Sequence, residues 1–119
     1  MSEAHSATRY TGTWGRATST GYWGGAVRYA TAPTARATFT FTGRSVGFVS
    51  TMSSSRGRAA IYVNGVYIKT IDLYSGTWRN GVVAWSQSWS TLASRTVEIR
   101  VLGTAGRPRV DLDGWVVGT

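Results

Sequence analysis

The sequence predicts an all-β protein, an antiparallel β-sandwich or barrel, from three observations. First, Phe39 and Phe41 alternate with threonines, which is the two-residue period of a strand with one buried face. Second, Asn64-Gly65 separates two apolar runs, and this dipeptide favours a type I′ hairpin turn because both central residues need a positive φ. Third, the 119 residues include fifteen glycines and two prolines, which suits short strands joined by tight turns, and no helical period exceeds two turns. A closed OB-like barrel would normally use about five longer strands, so the sandwich is favoured.

Alternating apolar residues and turn residues predict nine strands along the chain. A glycine-rich loop, 17–25, follows the first strand, and a turn containing Pro33 follows the second. A turn at Gly43 separates the third strand from the fourth, and a serine-rich link precedes the hairpin of the fifth and sixth. A link rich in Ser and Trp, 85–94, separates the seventh from the eighth. The predicted strands are 10–14, 26–30, 37–42, 45–51, 58–63, 66–73, 81–86, 95–102 and 109–117.

The core is predicted from apolar residues that share a strand face. These are Val97, Ile99 and Val101 in the eighth strand, and Val110 and Leu112 in the ninth. Gly114 interrupts the ninth strand, and we expect it to kink the strand and redirect Trp115 and Val117. Trp14 and Trp115 lie among apolar neighbours and are expected in the core.

We expect a flexible lead-in at 1–9 followed by a single domain at 10–119. The chain has no cysteine, which excludes disulfides and thiolate metal sites. No apolar run approaches the roughly 20 residues that span a bilayer, so we expect no membrane partner. The first ten residues lack the basic and then apolar order of a signal peptide, which would fit a module cut from a longer exported chain.

The net charge is +8, and twelve of the thirteen basic residues are arginine. One interpretation is a GC-rich genome, whose codons favour arginine. The other is attraction to polyanions such as acidic polysaccharide or nucleic acid. Both interpretations stay open.

Catalysis is not expected, because His5 is the only histidine and lies in the predicted lead-in. Asp111 and Asp113 lie about 7 Å apart on one strand face, a spacing that permits a carboxylate pair. Their neighbours Arg107 and Arg109 favour structural ion pairs instead. We expect no cofactor, although one aspartate with loop carbonyls could hold a structural calcium ion.

Aromatic residues are the strongest functional signal, because six tryptophans and six tyrosines exceed what a core of this size needs. Several lie on or beside loops, where large rings are harder to bury. Arg56 lies in the serine-rich link, a position suited to presenting its guanidinium outward, and two other arginines neighbour the aromatic loops. The predicted ligand-binding residues are Trp23, Trp78, Trp89, Tyr22, Tyr74, Arg28, Arg56 and Arg79.

Exposed rings on a β-scaffold suit the apolar faces of pyranoses, with polar side chains on the hydroxyls. They would equally suit unpaired bases, with arginines on the phosphates. A third interpretation is that the rings close the ends of the sandwich and bind nothing. Trp85 fits a core or a surface role.

Five motifs occur in a fixed order after Gly24-Gly25, and they are Thr40–Gly43, Arg56-Gly57, Ile61–Gly65, Thr70–Tyr74 and Val110–Val117. In order and spacing they resemble the galactose-binding-domain-like jelly-roll modules that are appended to secreted multidomain proteins of actinobacteria and related bacteria. The resemblance implies a jelly-roll fold, an extracellular location and attachment to a polysaccharide or cell-surface glycan beside other domains. Asn64 and Gly114-Trp115 depart from the family pattern, and no ligand residue carries over.

Together, the residues and the resemblance predict a non-catalytic carbohydrate-binding module. The alternatives are a structural or adhesion accessory domain and a polyanion binder, with nucleic acid the less favoured polyanion.

Overall fold

The computed structural model describes residues 8–22 and 25–118, and these residues form an all-β structure of two sheets. None of the described residues belongs to a helix long and apolar enough to cross a membrane. The strands are β1 (Thr8–Thr11), β2 (Gly15–Thr18), β3 (Ala26–Ala30), β4 (Arg36–Met52), β5 (Arg58–Val63), β6 (Val66–Asp72), β7 (Arg79–Val101), β8 (Val110–Leu112) and β9 (Gly114–Gly118).

The larger sheet has six strands in the order β1-β4-β7-β5-β6, with β9 also paired to β4. The smaller sheet has three strands in the order β2-β3-β8. All strand pairs in both sheets are antiparallel. The fold class expected from the sequence, an antiparallel β-sandwich, is therefore confirmed.

The core lies between the two sheets and is built from the alternating faces that the sequence indicates. Trp115 is fully buried, and its ring stacks on Phe39 at 4.7 Å between centroids and contacts Phe48 at 5.8 Å. The predicted core residues of the last strands are all in this cluster: Val97, Ile99, Val101, Val110 and Leu112. Trp85 is also buried there, and Trp14 packs partly buried against it.

The hairpin turn between β5 and β6 is as predicted. Asn64 has φ 50° and Gly65 has φ 80°, the positive values that a type I′ turn requires. Gly114 also has the predicted effect, because the break at Asp113 shifts the side-chain alternation. Leu112 and Trp115 consequently both face the core, although they are three positions apart and regular alternation would place them on opposite faces.

Three predicted boundaries are wrong. Gly43 is not a turn, because β4 continues through it with a register shift between Gly43 and Ser45. The link predicted at 85–94 is part of β7, which runs beside β4 for most of its length. A strand, β2, also occupies 15–18, where a loop was expected from residue 17. In the first two cases, pairing with a long neighbour overrides local turn signals.

The first strand begins at Thr8, two residues before the expected start of the domain. The division into a lead-in and a single domain stays a prediction, since residues 1–7 and Thr119 lie outside the described part of the chain.

Candidate functional site

Two of the predicted rings, those of Tyr74 and Trp78, are exposed at one end of the sandwich. Their exposed fractions are 52% and 57%. Both lie in the link between β6 and β7, and Tyr74 is anchored there by a bridge to Ser53 in the link after β4. We call these two residues the ring pair.

Contacts on both its edge and its face orient the Trp78 ring. Its Nε1 donates a hydrogen bond of 2.8 Å to Oδ1 of Asn80, which also accepts a longer one of 3.4 Å from Thr51. The Arg56 guanidinium lies 4.7 Å from the indole centroid, a cation–π distance. Because one face rests on Arg56 while more than half of the side chain is exposed, the other face is open to solvent.

Arg56 does not present its guanidinium outward, so that expectation was wrong. The residue is only 2% exposed, because a parallel bridge to Arg109 draws the serine-rich link against β8. Its Nη2 donates to Oδ2 of Asp111 at 2.9 Å, and its Nη1 donates to Ser53 and Ser55 at 3.2 and 2.8 Å. Arg56 therefore lies beneath Trp78 as its support.

Two carboxylates at this end are each shared by two arginines. Asp111, which is fully buried, accepts from Arg56 and from Nε of Arg109 at 2.7 Å. We call these three residues the inner triad. The ion pair favoured for Asp111 from the sequence is confirmed, and it leaves this carboxylate enclosed by two guanidinium groups.

The second shared carboxylate belongs to Asp72. Arg107 donates to both of its oxygens at 2.5 and 3.0 Å, and Arg58 contacts it through Nε at 3.4 Å. We call these three residues the outer triad. The Arg107 guanidinium lies 5.3 Å from the Tyr74 centroid, and its Nη1 also donates to the Arg56 carbonyl at 2.9 Å. Each triad thus places one arginine against one ring of the ring pair.

The hydrogen bonds from Arg107 lower the pKa of Asp72 from 3.8 to about 2, with a further contribution from the Tyr74 amide. Because the folded pKa lies below the unfolded one, the stability from Asp72 is present above about pH 4 and is lost as the pH falls towards 2. The Asp72 side chain is 39% exposed, so we expect Asp72→Asn to cost about 1 kcal/mol or less at pH 6. Urea denaturation at pH 6 and pH 2 measures this. An equal cost at both pH values would contradict the assignment.

Tyr22 lies in the loop between β2 and β3, on the same side as Asn80. A Cβ atom built on Gly21 would lie 2.8 Å from Nδ2 of Asn80. This loop therefore contacts Asn80, the hydrogen-bond partner of Trp78. A cavity of about 280 Å³ opens beside the loop, and its described lining is Thr18, Ser19, Thr20 and Gly25. Tyr22 is half-buried. Trp23, predicted with it, lies outside the described residues.

Among the described residues, no hydrogen bond, ion pair or cation–π contact joins Arg79 or Arg28 to the ring pair. Arg79 is exposed at the start of β7 and pairs with Met52 of β4. Arg28 shares a strand face with Ala30, a core residue, and lies 5.8 Å from the Tyr10 ring. A ligand role for either arginine stays a prediction, and neither belongs to the arrangement just described.

Trp89 is separate from the ring pair. It packs half-buried against the core, 6.3 Å from Phe41 and 4.3 Å from the Arg95 guanidinium. Arg95 donates to the Gly43 carbonyl at 2.7 Å and thereby stabilises the register shift of β4. The Met52–Arg79 and Gly43–Ala93 pairs are nine residues apart along β4, roughly 30 Å of extended strand. Trp89 therefore packs against the core at another part of the sheet, and its ligand role stays a prediction.

Sequence reasoning did not place Asn80 or Arg58 at this end, and it expected Arg107 to pair with Asp111 or Asp113 rather than with Asp72. Asn80 is two positions after Trp78, and this short separation is the local signal that could have linked the two side chains. Nothing local indicates that Arg107 reaches Asp72, which is 35 positions away in the chain. Among the described residues, no three His, Cys, Asp or Glu residues cluster as ligands for a metal ion.

No protein-family model matches the chain, and no curated protein sequence matches it. Solved structures share its fold. A family 35 carbohydrate-binding module from Clostridium thermocellum aligns at a TM-score of 0.67 and 15% identity, covering 100% of this chain and 97% of that one. A family two carbohydrate esterase from Cellvibrio japonicus aligns at 0.71 and 12% identity, covering 100% and 33%.

A xanthan lyase from Paenibacillus aligns at 0.66 and 15% identity, covering 93% of this chain and 12% of that one. The chain therefore spans about a third of the esterase and about an eighth of the lyase. At these identities the likeness concerns the fold, which is that of a carbohydrate-binding module.

Proposed function

We propose that this domain binds a polysaccharide or cell-surface glycan without altering it. The observation that carries the proposal is the ring pair: two aromatic side chains of the same β6–β7 link are each more than half exposed, and each has an arginine against its ring. Leaving such apolar area in water is unfavourable, so a rigid exposed pair is typical of a binding surface.

The geometry suits stacking on pyranose rings. Asn80 and Arg56 hold Trp78 in one orientation, so little side-chain freedom would be lost on binding. Hydroxyl groups at the edge of the stacked sugar would find polar partners in Ser55 and Arg58, which are both exposed. Tyr22, and Trp23 from the same loop, are proposed to extend the surface. Arg56 acts as a positioning residue for Trp78 and makes no contact with the ligand.

Two features favour binding without catalysis. The carboxylates of Asp72 and Asp111 are each paired with two arginines, so neither is placed to exchange protons with a substrate. The fold is also that of a carbohydrate-binding module over essentially the whole length of both chains. An extracellular location beside other domains, in an actinobacterial type of secreted protein, is part of the same proposal.

Alanine substitution of the ring pair tests the proposal. We expect Trp78→Ala to weaken binding to the retained glycan by about tenfold or more, with a smaller loss for Tyr74→Ala, because buried aromatic anchors dominate binding energy. Retention on insoluble cellulose, chitin and xylan in 1 M salt provides the measurement. Tyr67→Ala is the matched control, since Tyr67 is 53% exposed but lies on the edge strand β6.

Unchanged retention of Trp78→Ala would show that the glycan binds elsewhere. If the wild-type domain were retained on none of these polymers or on a broad glycan array, a structural or adhesion role would replace the proposal.

A further inference from the structure

Each ring of the ring pair lies against one arginine of a triad in which two arginines share a single carboxylate. In the inner triad, Arg56 and Arg109 share the single carboxylate of Asp111. In the outer triad, Arg58 and Arg107 share that of Asp72. Each triad therefore has one positive charge that no carboxylate within it balances.

The net positive charge of each triad lies close to one ring. The Arg56 guanidinium lies 4.7 Å from the Trp78 centroid, and the Arg107 guanidinium lies 5.3 Å from the Tyr74 centroid. An aromatic face is negative, and a cation against one face offsets the negative potential of the opposite face. The open side of the ring pair therefore favours electron-rich or anionic groups over cationic ones.

The outer triad also reaches solvent. The Arg58 side chain is 58% exposed, and among the described residues its contact with Asp72 is made through Nε alone. Its terminal nitrogens are therefore open to a ligand near Asp72, whose other oxygen accepts a hydrogen bond of 2.9 Å from the Tyr74 amide. A guanidinium pairs well with a carboxylate in the plane of its fork.

We infer that the ring pair selects glycans whose sugars carry carboxylates, that is, uronate residues, over the same glycans without the charge. This inference rests on the proposed function and names the substrate class of that same site. The rings supply stacking, and the two triads supply the preference for the acid.

Polygalacturonate and its fully methyl-esterified form provide matched probes, because the two polymers differ in the carboxylate charge. We expect the wild-type domain to bind the acid about fivefold more tightly at low salt, the effect of one exposed ion pair of about 1 kcal/mol. The preference should shrink towards parity in 1 M salt, where the Debye length is about 3 Å. Affinity electrophoresis or calorimetry would measure it.

Arg58→Gln removes the surplus charge of the outer triad while Asp72 keeps its bidentate partner Arg107, so the preference for the acid should fall to about twofold or less. Arg44→Gln is the matched control, since it removes the same charge from an exposed position on β4 distant from the ring pair. The control should keep the wild-type preference.

Three results would overturn the inference. Equal affinity of the wild-type domain for both polymers would do so and would leave the proposed function standing. An equal loss of preference in Arg44→Gln would show that overall charge decides. Tighter binding of single-stranded DNA than of polygalacturonate would indicate a nucleic-acid surface. Binding of neither polymer, together with no retention on any neutral glycan, would instead overturn the proposed function itself.

Discussion

Asp111→Asn is expected to destabilise the domain by about 3–5 kcal/mol, because it leaves two arginines around a buried, uncharged amide. Asp111 is fully buried, and Arg56, its partner, is 2% exposed. Arg56 has no second carboxylate in the inner triad, and its remaining hydrogen bonds go to serine hydroxyls. Its charge would therefore stay in the interior without compensation. Urea denaturation at pH 7 measures the change in the free energy of unfolding.

Asp72→Asn is the matched control for this prediction. It makes the same chemical change in the outer triad, where the carboxylate is 39% exposed and one partner is 58% exposed. Solvent screens these charges, so the expected cost is about 1 kcal/mol or less. Similar losses in the two variants would contradict the distinction between a buried and an exposed triad.

Trp115→Ala is expected to cost about 3–5 kcal/mol, the usual penalty for removing a large buried aromatic side chain. The Trp115 ring is fully buried and contacts Phe39 and Phe48, so its removal would leave a cavity between these rings. Trp78→Ala removes the same side chain from a position that is 57% exposed. Its expected cost is about 1 kcal/mol or less, mostly the lost contact with Arg56.

The two tryptophan variants should therefore separate the residues that stabilise the fold from those that bind the glycan. Trp115→Ala lowers the urea midpoint, and any of it that remains folded should still bind glycan. Trp78→Ala keeps the midpoint close to that of the wild type and loses retention on the glycan. A large drop in the midpoint for Trp78→Ala would mean that the ring is part of the core, and its exposure could then not be taken as evidence for a site.

Local pattern was sufficient for the fold class, the hairpin and most of the core. The alternation around Phe39 reflects the two-residue period of a strand, and Asn64-Gly65 reflects the steric demands of a type I′ turn, so a few neighbouring residues are enough to predict both.

The continuity of β4 and β7 could not be predicted from local pattern. Gly43 and the 85–94 segment carry turn and loop residues, and their pairing with a partner strand far along the chain overrides those preferences.

For the candidate site, composition and loop position were enough to predict more aromatic rings than the core can bury, with Tyr74 and Trp78 among the exposed ones. Which arginines lie behind those rings depends on contacts between distant parts of the chain. Arg56 was expected at the surface, yet it is drawn inward by Asp111, which is 55 positions away. The burial of a charge depends on partners that folding brings together, and a linear pattern contains no such distances.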